Sequence, residues 1–169
     1  MAGFAMGPSA HADMFLKLDG IKGESTDDKH KDEIQLLSFS FGATQPGSAG
    51  HGGGAGVGRV HLHDFSISKF VDKSSPKLFE ACAAGTHTAN GYLVCRKAGG
   101  SQQEYFKIHL KDVLISSIST SGSGGEHLPT ESLTLNYSYL KIDYAGQDAK
   151  GNLTGAVSGG WDKTANKKA

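Results

Sequence analysis

This sequence of 169 residues has few cysteines, no excess of either charge and no long apolar run. Only two cysteines are present, Cys82 and Cys95, which is too few for a disulfide scaffold, so we interpret both as free thiols that pack like small apolar side chains. No stretch approaches the ~20 consecutive apolar residues of a transmembrane helix. Lysine plus arginine and aspartate plus glutamate number 17 each, so the formal net charge is zero. This balance argues against a nucleic-acid partner and against binding to an anionic membrane surface, and the lack of a long apolar stretch argues against membrane insertion.

Motifs that mark catalysis or a bound cofactor are absent as well. The sequence has no HExxH or CxxC zinc pattern and no GxSxG nucleophile turn, although a catalytic triad assembled only in three dimensions stays open. His61 and His63 alternate on one predicted strand, where we interpret them as solvated side chains. The glycine-rich loop Gln45–Gly58 is followed by Arg59 where a Walker loop needs lysine, and it leads into a strand rather than a helix. We therefore predict no cofactor, no bound metal and no enzymatic activity.

The N-terminal segment has no recognisable targeting signal. Residues 1–12 contain neither a basic region nor a continuous apolar run, so we expect no signal peptide and a protein that is made and folded in the cytoplasm. The length of the chain corresponds to one domain. We predict a flexible extension over residues 1–12, a single β-barrel domain over residues 13–162, and a flexible tail over residues 163–169.

Glycine, with 24 residues, and segments of alternating polarity are what the sequence has in abundance. Four predicted strands change the parity of their apolar positions part way along. The strand over Glu33–Thr44, for example, passes from Leu36 to Leu37 and Phe39. Another change falls near His63–Asp64, where we predict a bulge, because one extra residue turns the following side chains to the opposite face. Strongly coiled strands of small barrels change face in this way, so we predict a mainly β fold built as a compact antiparallel β-barrel.

One helix is predicted, within the segment Gly58–Gly85. Pro76 suits a first helical turn, and Gly85 is a natural stop after the last one. Leu78 and Phe79 begin an apolar face at helical spacing. A helix of about ten residues is unstable by itself, so we expect its Phe79 face to dock on the sheet as a flanking element.

Small uncharged polar residues stand opposite the apolar positions of several predicted strands. The set is Ser38, Ser40, Ser66, Ser68, Thr134, Asn136 and Ser138. A plain solvated sheet face shows the same alternation, but exposed strands usually use charged residues to prevent edge pairing, and these segments carry almost none. A smooth, uncharged, hydrophilic wall fits a surface against which other proteins rest or pass.

Several ordered segments resemble one known family. They are Asp13–Ser25, Gly47–Leu78, Cys82–His87, Arg96–Gly100 and Ser119–Tyr137. These segments resemble the haemolysin-coregulated protein (Hcp) family, whose members are tube subunits of bacterial type VI secretion systems, and the resemblance extends over nearly the whole chain.

The resemblance implies an assembly and a set of partners. Copies of the chain are expected to form a hexameric ring of β-barrels, and the rings to stack into a tube like that of phage tails. The expected partners are further copies, the type VI sheath and spike proteins, and effector proteins that the ring carries or chaperones in its lumen. The protein is expected in the bacterial cytoplasm before firing and then outside the cell, without a signal peptide.

The resemblance also implies roles for particular residues. The segment Phe39–Phe41 matches the family's strand that turns its small residue, here Ser40, toward the lumen. By the alternation of polar and apolar positions, Ser38, Thr134, Asn136 and Ser138 are also expected to face the lumen and contact effectors. The loop expected to contact a neighbouring subunit contributes Gln45, Pro46, Gly47, Ser48, His51, Gly52, Gly53 and Gly54. This chain differs from the family in having phenylalanine at positions 39 and 41, where members often carry tryptophan. The alternative is a monomeric ligand-binding β-barrel or a small secreted enzyme that uses the histidine face.

Overall fold

The computed structural model describes residues 12–47, 59–97 and 102–169. This part of the chain contains one helix and twelve strands. The elements are β1 (Asp13–Leu18), β2 (Ile34–Gln35), β3 (Ser38–Ser40), β4 (Ala43–Thr44), β5 (His61–Leu62), β6 (Phe65–Phe70), α1 (Ser75–Ala84), β7 (His87–Arg96), β8 (Glu104–Ser121), β9 (Thr130–Asn136), β10 (Tyr139–Gln147), β11 (Leu153–Asp162) and β12 (Lys167–Lys168).

Antiparallel pairing closes the main sheet on itself, which confirms the predicted barrel. β1 pairs with β7, β7 with β8, β8 with β9, β9 with β6, and β6 with β3. The circuit closes between β2 and β3, because the Leu36 amide donates to the Met14 carbonyl on β1 and the Leu37 amide to the Ser68 carbonyl on β6. The chain therefore changes its pairing partner at the place where the sequence predicted a change of face.

A second part of the sheet extends away from the barrel. β9 and β10 follow one another along the same edge of β8, and β10 then pairs with β11 and β11 with β12. We call β10 and β11 the flange. The sequence pattern of Ala156–Trp161 predicts a short last strand, and the structure extends it to β11 over Leu153–Asp162.

The core lies inside the barrel and contains side chains from β1, β2, β6, β7, β8, β9 and β10. Phe65 is fully buried and stacks with Phe39 and Phe41 at centroid distances of 5.8 and 5.4 Å. The other buried members of the core are Leu16, Leu18, Ile34, Leu36, Ile67, Leu78, Ala81, Leu93, Cys95, Ile108, Leu110, Val113, Ile115, Leu133, Leu135, Tyr137 and Leu140. The two phenylalanines at positions 39 and 41 thus fill the barrel, as the alternation predicted.

The helix begins and ends where the sequence predicted, but it presents a different face to the sheet. Gly85 takes the left-handed conformation with φ of 65°, and Pro76 lies in the first turn. The buried face consists of Ser75, Leu78 and Ala81, whereas Phe79 is 64% exposed. The predicted Phe79 face was therefore wrong, because the helix packs against β8 through the side that carries Ser75, Leu78 and Ala81, which are spaced three residues apart.

Two other local predictions were also wrong. No bulge forms at His63–Asp64, because the chain ends β5 there and begins β6, and these strands pair with different partners. Leu37 does not share the apolar face of Phe39, since it is 45% exposed.

No helix in the described ranges is long enough and apolar enough to span a membrane.

Candidate functional site

The outer face of one side of the barrel carries two rows of hydroxyl side chains, which we call the hydroxyl wall. Four strands contribute to it, in the order β3, β6, β9 and the C-terminal part of β8. In direct cross-strand register, the first row is Ser38, Ser68, Ser132 and Ser119, and the second row is Ser40, Ser66, Thr134 and Ser117. Neither row contains a charged side chain.

The hydroxyl wall follows from the period of two along each strand. Between the two hydroxyl rows lies a third row in the same register, formed by Phe39, Ile67, Leu133 and Ile118. These apolar side chains point to the opposite face and pack in or against the core. Successive residues of a strand point to opposite faces, so burying this row leaves the serines and threonine outside.

Four of the eight wall hydroxyls bond to another wall hydroxyl. The hydroxyl oxygens of Ser38 and Ser68 lie 2.5 Å apart. Thr134 Oγ1 lies 2.7 Å from Ser116 Oγ and 2.6 Å from Ser117 Oγ. A register shift between Ile115 and Ser117 brings both serines to the same threonine. A molecule that rests on this surface therefore meets neutral groups whose bonding is partly satisfied already.

The two ends of the hydroxyl wall differ chemically. At one end, the Asp64 carboxylate accepts hydrogen bonds from Ser116 Oγ at 2.8 Å and Asn136 Nδ2 at 3.2 Å. At the other end, Leu37, Phe70 and Leu128 are 45%, 45% and 51% exposed. The wall thus passes from an acidic end, through neutral hydroxyls, to an apolar end.

The structure brings most of the predicted wall residues together. Ser38, Ser40 and Thr134 occupy the two rows, and Asn136 follows Thr134 on the same face of β9. Ser138 does not belong to the wall. It follows the end of β9, and its amide and hydroxyl both donate to the Lys111 carbonyl, at 3.0 and 3.3 Å.

Five of the eight wall residues are absent from the site that the sequence predicts. Ser66 and Ser68 had been recognised as part of the polar set, but Ser117, Ser119 and Ser132 had not. The alternation of Ser117 and Ser119 around Ile118 could have indicated the last strand of the wall. The sequence could not indicate that Ser119 pairs with Ser132 and Ser117 with Thr134, because these pairs join distant segments of the chain.

The predicted inter-subunit loop lies only partly within the described residues. Gln45, Pro46 and Gly47 are exposed and follow β4, which pairs with β5 as a separate two-stranded arm. The predicted contact residues outside the described part are Ser48, His51, Gly52, Gly53 and Gly54.

The histidines and cysteines do not assemble into a metal or thiol centre within residues 12–47, 59–97 and 102–169. No group of three or more metal-ligating side chains occurs there, and the rings of His61 and His63 lie 5.6 Å apart, centroid to centroid. Cys82 and Cys95 are both free. Burial raises the pKa of the Cys95 thiol to about 11, so this thiol stays protonated and unreactive near neutral pH.

Comparison with known proteins gives consistent matches over nearly the whole chain. A family model described as "Type VI secretion system effector, Hcp" matches residues 15–144. The chain is 47% identical over 159 residues to Protein hcp1 of Pseudomonas aeruginosa, covering 93% of this chain and 98% of that protein.

Solved structures agree with this match. A structure titled as that of a type six secretion system protein has a TM-score of 0.88 and 30% identity, covering 94% of this chain and 100% of the other. Hcp1 from Salmonella typhimurium has a TM-score of 0.78 and 37% identity, covering 94% and 99%.

Proposed function

Because the chain belongs to the Hcp family of type VI secretion system proteins, we propose that its copies form a hexameric ring and that stacked rings form the secreted tube of that system. The observation that carries this proposal is the hydroxyl wall. A tube through which unrelated proteins pass needs an inner surface that holds none of them tightly. Two uncharged hydroxyl rows with internal hydrogen bonds have this property.

We place the hydroxyl wall toward the lumen of the ring. Ser38, Ser40, Thr134 and Asn136 are the proposed contacts for an effector. Ser138 is left out of this set, because its side chain is bonded at the junction between β9 and β10. The serines that sequence analysis did not select, at positions 117, 119 and 132, join the set by their register.

The proposed partners follow from this placement. Effector proteins that fit within the ring contact the wall weakly and at many points, and are carried or chaperoned there until secretion. The sheath and the spike of the apparatus contact other surfaces of the tube. Secretion takes place through the apparatus itself.

The loop over residues 45–58 is proposed to contact a neighbouring subunit. It contains so many glycines that ordering it alone carries a large conformational entropy cost, which a contact between subunits would offset. Deleting residues 48–55 is expected to weaken assembly while the barrel stays folded. A deletion variant that forms rings of unchanged stability would show that the loop is not an interface element.

Native mass spectrometry combined with negative-stain electron microscopy tests the assembly. The expected result is a species of six times the chain mass of 17.7 kDa, seen as rings in projection. A monodisperse monomer across the micromolar range would contradict the ring and favour the monomeric ligand-binding barrel.

A further inference from the structure

Residues 22–33, which we call the strap, connect β1 to β2 and lie over the outer side of β1. Within the described residues, the backbone hydrogen bonds of the strap join it to itself. The Gly23 amide, for example, donates to the Asp32 carbonyl at 2.8 Å, and the Asp32 amide donates to the Ser25 carbonyl at 2.9 Å. Side chains attach the strap to the barrel, so its attachment depends on their charges rather than on sheet pairing.

His30 is the buried centre of this attachment. Its ring stacks on Phe15 of β1 with 7° between the ring planes. The Nδ1 atom lies 2.8 Å from Glu33 Oε2, and the Nε2 atom lies 2.9 Å from Glu104 Oε1 on β8. Both ring nitrogens therefore face carboxylates, one from the strap and one from the barrel.

These two contacts together require the charged form of the ring. A neutral imidazole has one N–H donor and one lone pair, whereas carboxylate oxygens only accept hydrogen bonds. Burial raises the pKa of Glu104, but the hydrogen bonds and charges of Lys107 and His30 outweigh this effect and hold the pKa below its ordinary value. A neutral His30 would turn its lone pair toward one of the two carboxylates, and only the imidazolium donates to both.

The charges around His30 also favour the protonated ring. The charged groups on the elements packed around it are Asp13 of β1, Asp27 and Glu33 of the strap, Arg96 of β7, and Glu104 and Lys107 of β8. Four of these groups are acids and two are bases, so the acids are in excess. A proton on His30 reduces the net negative charge of the cluster.

We propose that the strap is a pH-sensitive element of the fold, which is closed over β1 while both nitrogens of His30 carry protons and loosens as rising pH removes one of them. Loosening uncovers the ring of Phe15, which is buried when the strap is closed, and so exposes apolar surface on the outer side of β1. Every contact involved lies within one chain, so the proposal is independent of the ring.

Hydrogen exchange of the full-length protein measures the opening of the strap. The closed strap binds one proton more than the open strap once the pH passes the range in which histidine changes charge, about pH 5 to 8. Opening constants, calculated from the protection factors of strap amides such as Gly23 and Asp32, should therefore rise between about pH 6 and about pH 9. The rise is limited to about tenfold per pH unit, the value for release of one proton.

The Arg96–Asp27 contact does not interfere in this range, because the pKa of Asp27 lies below 3.8. Opening constants of the wild-type strap that do not change with pH would overturn the proposal.

Glu104→Gln is the decisive variant. The amide of glutamine can donate as well as accept, so it satisfies a neutral His30 as well as a charged one. The Glu104 side chain is partly exposed, so the fold should be retained, which circular dichroism checks. The rise of the opening constant with pH should be lost. A folded variant that keeps the wild-type pH dependence would contradict the role of the two carboxylates.

His87→Gln is the matched control. His87 Nδ1 lies 2.7 Å from Asp112 Oδ1, in a histidine–carboxylate pair whose side chains are both more than half exposed. This variant should keep the wild-type pH dependence of the strap. Loss of that dependence in His87→Gln would show that it arises outside the His30 cluster, and would overturn the proposal.

Discussion

Lys69 and Glu131 face each other across β6 and β9 with both side chains inside the protein. Lys69 Nζ lies 2.8 Å from Glu131 Oε2, 3.1 Å from Ser75 Oγ and 3.0 Å from Asp72 Oδ1, and its side chain has no exposed surface. The network joins two strands to the first turn of the helix. Its members are hydrogen-bonded on several sides, which offsets part of the cost of burying the charges.

Removing one partner of this network should be costly. Lys69→Met leaves the Glu131 carboxylate buried without its cation, so we expect the free energy of unfolding to fall by about 3–5 kcal/mol. Urea denaturation measures this loss. The double variant Lys69→Met/Glu131→Leu should recover part of it, since the buried Glu131 charge is removed while the Asp72 carboxylate, which also faces Lys69, remains.

Lys77→Met is the matched control for the lysine change. It removes an exposed ion pair in which Lys77 Nζ lies 3.0 Å from Glu80 Oε2. Its effect should stay within about 0.5 kcal/mol. A Lys69 variant that is equally mild would mean that the buried pair does not hold the helix to the barrel.

Neighbouring apolar residues of the helix should respond very differently to truncation. Leu78 is fully buried and Phe79 is 64% exposed. Leu78→Ala should lower the free energy of unfolding by about 2–5 kcal/mol, whereas Phe79→Ala should change it by no more than about 0.5 kcal/mol. Chemical denaturation of the monomer distinguishes the two, and a large loss for Phe79→Ala would restore the helix orientation expected from sequence.

These residues show where the sequence was insufficient. Lys69 is the third inward-facing residue of β6, after Phe65 and Ile67. A lysine in a strand is ordinarily expected to be solvated, so the sequence alone does not indicate its burial. Its burial depends on a carboxylate 62 residues away in the chain. The bounds of the helix could be predicted from Pro76 and Gly85. Its buried face could not, because that face depends on which residues meet β8, and a ten-residue helix has too few positions for periodicity to identify them.

At the scale of elements, the segment between β1 and β2 is held over the barrel by charged groups around one aromatic ring. His30 stacks on Phe15 at a centroid distance of 4.5 Å, and Arg96 lies 4.9 Å from the same ring. Arg96 donates to both oxygens of Asp27, at 3.0 and 2.7 Å, and to Asp13 at 3.1 Å. The ring of Phe15, though on the outer side of β1, is thereby buried.

The contact between Arg96 and Asp27, which we call the clamp, should contribute less to the stability of the fold in acid. The hydrogen bond from Arg96 is the main reason that the pKa of Asp27 lies below its ordinary value of 3.8. The unfolded chain therefore binds this proton more readily than the folded chain. The contact contributes its full stability above pH 3.8 and loses it as the pH falls through the lower pKa of the folded state.

Arg96→Met tests the clamp. The variant should be less stable than the wild type near neutral pH, and the difference between the two should narrow as the pH falls below 3.8 and Asp27 takes up its proton. Thermal unfolding across this range measures the difference. Lys22→Met, which removes a surface contact of 3.7 Å with Asp32, serves as control and should follow the wild type. A difference in stability between Arg96→Met and the wild type that stays constant with pH would show that the Arg96–Asp27 contact does not depend on the charge of Asp27.

The elements themselves were partly predictable. Changes of apolar parity along the strands indicated a barrel, and the structure explains one of them at Leu36 and Leu37 by a change of pairing partner. At His63–Asp64, the alternation of polar and apolar residues could not distinguish a bulge within one strand from the end of one strand and the start of the next. Both move the following side chains to the other face.

At the scale of the whole molecule, the fold separates two kinds of surface. The hydroxyl wall uses small neutral side chains opposite a packed apolar row, and the sequence revealed this wherever a strand alternates clearly. The full length of β11 could not be predicted, since LTGAVSGG consists mostly of small residues and glycine, and the length of the strand is set by its pairing with β10. Residues of the wall could thus be predicted singly, while their assembly into two rows required the register.

The proposed passage of effectors over the hydroxyl wall makes Ser40 the most informative position. Ser40 is exposed at the edge of the second row, next to Ser66, while Phe39 beside it in the chain packs against the core. Ser40→Gln should therefore leave the free energy of unfolding within about 0.5 kcal/mol of the wild type, because the added atoms project into solvent. In a hexameric ring, it would narrow the lumen at six symmetry-related points. We expect co-purification of a cognate effector to fall while native mass and melting temperature stay constant.

Ser123→Gln, in the exposed loop before β9, is the matched control and should retain the effector. A large loss of stability in the Ser40 variant would mean that this side chain is buried, and undiminished effector binding would mean that the wall does not line the channel.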